Sequence, residues 1–104
     1  MIGEQIHELA KRLWGINRSI TGEGVRETLT ILKEVIPDLK IHEVPSGTPV
    51  FDWTVPREWR GRDAYIITPS GKKICDFKKS NLHLLGYSSP IKAKLSLAEL
   101  QDNL

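Results

Sequence analysis

At Pro37 the spacing of the apolar residues changes, and that change fixes the fold class. Before it, Ile2, Ile6, Leu9, Ala10, Leu13 and Trp14 recur at helical intervals as one stripe, with Glu4, Glu8, Lys11 and Arg12 off it. Gly15 and Asn17 supply its C-cap. A second stripe, Val25, Leu29, Leu32, Val35 and Ile36, predicts a helix from about Gly24 to Ile36. Pro37 stops it, because the residue before a proline is driven out of the helical region. Beyond that point the period is two. Leu39, Ile41 and Glu43 alternate with Lys40, His42 and Val44, which predicts a short strand. Residues 50–55, bracketed by Pro49 and Pro56, predict an edge strand or an ordered loop. The turn Thr68-Pro69-Ser70-Gly71, with apolar runs on either side, predicts a hairpin. Residues 82–87 read as a further strand, and Ser96-Leu97-Ala98-Glu99 is a capping box that opens a third helix. The class is α+β: two N-terminal helices near 2–16 and 24–36 packed on a small, mostly antiparallel sheet, then a short C-terminal helix.

Composition narrows the function classes. At 104 residues, 39% hydrophobic and 27% charged, residues 1–104 read as a single domain with a small core. No apolar run approaches the ~20 residues that cross a bilayer, and no signal peptide opens the chain. The reading is therefore no membrane partner and a cytoplasmic location. Cys75 is the only cysteine, which excludes an internal disulfide and a multi-cysteine metal site. Flanked by Ile74 and Phe77 in a hairpin strand, it is expected to be a buried, inert thiol. The basic excess is local and mild. Residues 57–79 carry seven Lys/Arg against three Asp/Glu, too few for a concentrated nucleic-acid face, so no nucleic acid is expected.

Two clusters could bind a ligand. Arg18, Ser19, Thr21 and Gly22 lead straight into a helix that carries Arg26 in its first turns. Free N–H groups at a helix start favour an anion, and the arginines could add charge-assisted hydrogen bonds. The alternative is that Thr21 only caps the helix while Glu23 satisfies its dipole. The loop lacks the lysine and spacing of a phosphate-binding Walker loop. The second cluster, residues 51–59, sets Asp52 and Trp53 near Arg57 and Trp59, a platform for a sugar or a base, or else two tryptophans anchoring a long loop. His7, His42 and His83 share no ligand spacing.

Three strings stand out together: residues 13–26 (LWGINRSITGEGVR), 44–56 (VPSGTPVFDWTVP) and 80–88 (SNLHLLGYS). In this order they resemble the N-terminal part of a bacterial and archaeal aminopeptidase-like, zinc exopeptidase-like family of unknown function, often associated with polysaccharide biosynthesis. The resemblance covers essentially the whole chain. It implies a longer parent whose zinc ligands, in a His-x-x-His-Pro-Ser stretch followed by Asn-Asp, lie beyond this chain. No such stretch occurs here, so the chain is expected to have no catalytic residues, metal or cofactor of its own. The resemblance implies an accessory segment of a zinc hydrolase that shapes or caps the cleft for a peptide or sugar-derived substrate. Arg18, Ser19, Thr21, Gly22 and Arg26, with Asp52, Trp53 and His83, are the candidate contacts. The alternative is a stand-alone binding module for a sugar or an anionic ligand. The partner would be the C-terminal catalytic domain or a second copy of the chain. The face for it combines the first helix and Trp14 with Leu95, Leu97, Leu100 and Leu104. With three scattered histidines and one cysteine, the purified chain is expected to hold no stoichiometric zinc after dialysis against chelator. Metal analysis by mass spectrometry checks this.

Overall fold

A computed structural model of the chain describes residues 1–102. Helix α1 spans Ile2–Trp14, with Glu4 in its first turn and Lys11 and Arg12 in its last, the arrangement a helix dipole favours. Gly15 is its C-cap, as expected, but not in the left-handed form that favours glycine. Gly15 stays right-handed at φ −75°, and the Ile16 N–H returns to the Leu13 carbonyl at 3.1 Å. The same carbonyl accepts from Arg18 Nη1 at 2.7 Å, so an arginine from the following loop closes the helix end. Helix α2 spans Glu23–Val35, one residue earlier at each end than the sequence suggests. Gly22 is its N-cap at φ +125°, a backbone shape that side chains disfavour, and Thr21 donates no cap. Polar contacts tie the two helices: Arg12 pairs with Glu34 at 2.7 Å, and Arg18 Nη1 reaches Thr28 Oγ1 at 3.2 Å.

The extended region is sparser than its periodicity implies. Instead of one sheet there are two separate antiparallel ladders of two strands each. In the first, β1 (Pro49–Val50) pairs with β2 (Trp53–Thr54), and Phe51 turns the chain at φ +51°. In the second, β3 (Ile66–Ile67) pairs with β4 (Lys73–Ile74) around the hairpin expected at Thr68–Gly71. That turn is closed by Gly71 N–H to the Thr68 carbonyl at 2.9 Å, with Gly71 at φ +81°. The strand expected over 39–44 is absent: a strand needs a neighbour for its backbone groups, and none lies beside it among the described residues. Residues 82–87 are not a strand either. Ser80 Oγ accepts the Leu82 N–H at 3.4 Å and starts a 3₁₀ turn at Asn81–His83, followed by a second turn from Leu85 to Ser88. The capping box behaves as its residues predict. Ser96 Oγ accepts from the Glu99 N–H, Glu99 accepts from the Ser96 N–H, and α3 runs over Leu97–Gln101.

The expected core is not there. Among the described residues no apolar side chain is buried, and the helices do not lie on a common sheet. Leu9, Leu13, Val25, Leu29 and Leu32 are half-buried along the helices, whereas Ile2, Ile6, Ile20, Leu82, Leu85 and Ile91 face solvent. The chain forms a slab of 53 × 43 × 18 Å with a radius of gyration of 18.1 Å, against about 13 Å for a compact chain of ~100 residues. Its accessible surface is 9233 Å², where a folded monomer of 11.8 kDa exposes roughly 5,900 Å². Exposed apolar side chains, Ile2, Ile6, Leu82, Leu85 and Ile91 among them, contribute to the excess.

Two local constraints hold the slab's loops. A Cβ on Gly24 would lie 1.9 Å from the Asn17 carbonyl oxygen, so only glycine lets α2 start against the loop after α1. Asp76, the one buried polar side chain among the described residues, organises the turn after β4. Its Oδ1 accepts the Lys78 N–H at 3.0 Å, its carbonyl accepts from Lys79 and Ser80, and Lys73 Nζ stands 3.5 Å from Oδ2. The Lys78 N–H, assisted by the Lys73 charge, holds the Asp76 carboxyl below the usual carboxylate range against the opposing effect of burial.

Gly24→Ala is expected to cost about 2–3 kcal/mol or more, the range of overpacked sites, whereas Gly3→Ala, in helix α1 with open space around it, is neutral or stabilising. Thermal unfolding of the two variants separates them. For Asp76 the depressed native pKa means that its contribution is present at neutral pH and lost as pH falls below about 4. The Tm gap between the parent and Asp76→Asn should therefore hold at neutral pH and narrow as pH falls below about 4 in a calorimetric series.

Candidate functional site

The loop between the helices separates two grooves. The first, of about 500 Å³, is walled by residues 14–17 at the end of α1, Ser19 and Thr21 of the loop, the first turns of α2, residues 59–61, and residues 77–81. The second, of about 460 Å³, lies where Thr21 and Gly22 meet Val25, Leu29, Ile41, Val44, Pro45 and Val55, with Arg26, His42, Glu43 and Glu58 also lining it. Thr21 contributes to both.

The first groove is assembled from distant parts of the chain. Trp59 is fixed by donating Nε1–H to the Ser88 carbonyl at 2.9 Å and by stacking on Tyr87, with ring centroids 6.2 Å apart. Tyr87 in turn donates to the Arg57 carbonyl at 3.2 Å. Gly61 fits because a Cβ there would lie 3.0 Å from Asn17 Nδ2 and 3.1 Å from the Trp59 ring. The Asp76 turn carries Lys78 and Lys79 to the groove, where Lys78 pairs with Asp63 at 3.4 Å. Arg60 and Glu23 both line the groove and pair at 2.6 Å.

The residues singled out from sequence divide into three groups. Ser19 and Thr21 line the first groove, but each hydroxyl oxygen exposes under 1 Å² and has no hydrogen-bond partner. Gly22 and Arg26 line the second groove, where Arg26 is ion-paired with Glu58. Arg18 lines neither; its guanidinium is spent on the Leu13 carbonyl and Thr28. Asp52 sits in the turn of the first hairpin, Trp53 is exposed in β2, and His83 is exposed at the end of the 3₁₀ turn. None of these three lines either groove. Of the two tryptophans in that segment, Trp59 is the anchor and Trp53 is not.

Sequence reasoning singled out Trp59 only as part of the 51–59 platform, and it missed Asn17, Lys78, Lys79 and Asn81 as groove residues. Only one local signal pointed to any of them: an Asp two residues before Lys78, the spacing of an Asx-type turn that projects the next side chains outward. Cys75 requires a correction. Its thiol is exposed and its φ is +49°, because the ladder ends at Ile74 and the chain has already turned away. Among the described residues no group of three or more His, Cys, Asp or Glu is placed to hold a metal ion. No helix among them is long and apolar enough to cross a membrane. Of the leucines expected on a docking face, Leu95 and Leu97 are exposed, Leu100 is half-buried, and Leu104 lies outside the described residues.

Comparison with known proteins places this architecture. The chain is 51% identical over 102 residues to the N-terminal part of a Clostridium acetobutylicum protein described as a candidate polysaccharide biosynthesis protein with an aminopeptidase-like domain. That match takes in 98% of this chain and 23% of the relative. A crystal structure of a candidate peptidase from the same organism superposes with a TM-score of 0.90 at 50% identity, over 97% of this chain and 24% of that one. The chain thus spans under a quarter of the length of the relatives it matches. With the family pattern running from residue 7 to residue 99, this protein belongs to the family described as a domain of unknown function, DUF4910.

Proposed function

We propose that this DUF4910 chain acts as the accessory N-terminal portion of an aminopeptidase-like hydrolase, docking on the catalytic part and shaping or capping its substrate cleft. The observation that carries the reading is the slab itself. Ile2 and Ile6 on α1, with Leu82, Leu85 and Ile91, stay open to water, and a surface of this kind is what a polypeptide keeps for a partner. The similarity to under a quarter of two longer peptidase-like relatives supports the choice of partner. On this reading the zinc, its ligands and the scissile bond of a peptide or sugar-derived substrate belong to the catalytic part, in the cytoplasm. Where that part is lacking, the same apolar faces pair with a second copy of the chain.

Ile6 tests the docking. It is 62% exposed on α1, so Ile6→Asp is near neutral in the chain alone. In the intact protein the same change puts a charge into a packed interface and is expected to lower stability by about 2–4 kcal/mol. Thermal unfolding of both forms reads the difference, and hydrolysis of an aminoacyl p-nitroanilide by the intact variant reads the cleft. Equal, small Tm changes in the two forms would end the docking proposal, and an unchanged KM and kcat would end the cleft-shaping part of it.

A further inference from the structure

We infer that the first groove is a binding site for a neutral saccharide, with Trp14 as its stacking surface and the carboxamides of Asn17 and Asn81 as its hydrogen-bonding groups. The site is distinct from the arginines of the interhelical loop and from Trp53. Its volume, about 500 Å³, lies within the range of about 300–1,000 Å³ that small-molecule sites occupy.

The lining selects the ligand chemistry. Besides the occluded Ser19 and Thr21, four polar side chains of the groove, Asn17, Glu27, Lys79 and Asn81, make no hydrogen bond or ion pair with any described residue. Two of them are carboxamides, which donate and accept at once. A sugar hydroxyl also donates and accepts, so the match is group by group. The lining charges are mixed and largely cancelled: Glu23 pairs with Arg60 and Lys78 with Asp63, while Glu27 and Lys79 add one charge of each sign, so a polyanion and a polycation would each meet like charge. A neutral, polar ring avoids both penalties. The indole of Trp14, 70% exposed among the groove's lining residues, offers an apolar face with a polar rim. The C–H face of a pyranose suits it. An extended peptide suits the site less well, because its backbone is usually recognised by a sheet edge, and every wall here is a helix end, a loop or a turn. The Ser19 and Thr21 hydroxyls take no part, since no water-sized group reaches them.

The inference is independent of the accessory role, which Ile6→Asp tests by stability and turnover; this site is read by binding alone. In the intact protein, N-acetylglucosamine and maltose are titrated by saturation-transfer NMR and calorimetry, with tri-alanine as the competing probe. Saturable binding of at least one saccharide is expected, weakened about tenfold or more by Trp14→Ala and separately by Asn81→Ala. Both residues are tested because circular dichroism must show that each variant keeps its fold, and Asn81 bears no structural side-chain bond. Absence of saccharide binding, tighter binding of tri-alanine, or loss in Trp53→Ala with none in Trp14→Ala and Asn81→Ala would each overturn the assignment.

Discussion

The carbonyl oxygen of Asn17 occupies the place where a side chain on Gly24 would have to be, and much of the slab's order depends on that contact. It brings the first turn of α2 against the loop leaving α1, so residues 15–22 cross between the two helices without a cap from Thr21. Arg18 secures the crossing from the other side, joining the Leu13 carbonyl of α1 to Thr28 on α2. With the loop pinned, Ser19 and Thr21 are trapped with unpartnered hydroxyls, a cost of about 1–3 kcal/mol for each such group. Such a cost persists only where surrounding contacts impose the geometry. Here those contacts are backbone against backbone, which is why a single methyl group at Gly24 is the sharpest perturbation available.

No comparable constraint acts between elements farther apart. The two ladders do not meet in one sheet, and the helices are joined by ion pairs and by the loop, not by an interior. Exposed ion pairs such as Arg12 with Glu34 are worth ~0–1 kcal/mol, too little to hold a slab by themselves. Apolar burial at about 25 cal/mol per Å² is the force that usually does so, and this chain leaves that force unused on Ile2, Ile6, Leu82, Leu85 and Ile91.

Where the sequence was legible, the determinants were local. Helices α1 and α2 arise from apolar stripes of period 3.6, the hairpin at Thr68–Gly71 from its proline and glycine, and α3 from Ser96 and Glu99 binding each other. The misread strands share one cause. Alternation over 39–44 reports that alternate residues face different surroundings, but a strand exists only if a second one lies beside it, and no local pattern encodes that neighbour. In residues 82–87 a nearer signal was overlooked, the Ser80 hydroxyl that starts a turn. The candidate site was half legible for the same reason. Ser19, Thr21, Gly22 and Arg26 lie close together along the chain and were found. Asn17, Trp59, Lys79 and Asn81 converge from segments over sixty residues apart, through the Trp59–Tyr87 stack and the Asp76 turn, and only the folded chain brings them together.

The two grooves on either side of Thr21 differ in what they can cover. The second is walled largely by Val25, Leu29, Ile41, Val44, Pro45 and Val55, and Arg26 and Glu58 there pair with each other, so packing protein over it releases water from apolar surface but also requires a match for His42 and Glu43. The first holds Glu27, Lys79 and two carboxamides that make no hydrogen bond or ion pair with any described residue. Packing a protein surface over them costs several kcal/mol per stranded charge unless every group finds a match. On the docking proposal the first groove is the costlier of the two to cover, since Asn17, Glu27, Lys79 and Asn81 must all be matched where the second asks this of His42 and Glu43.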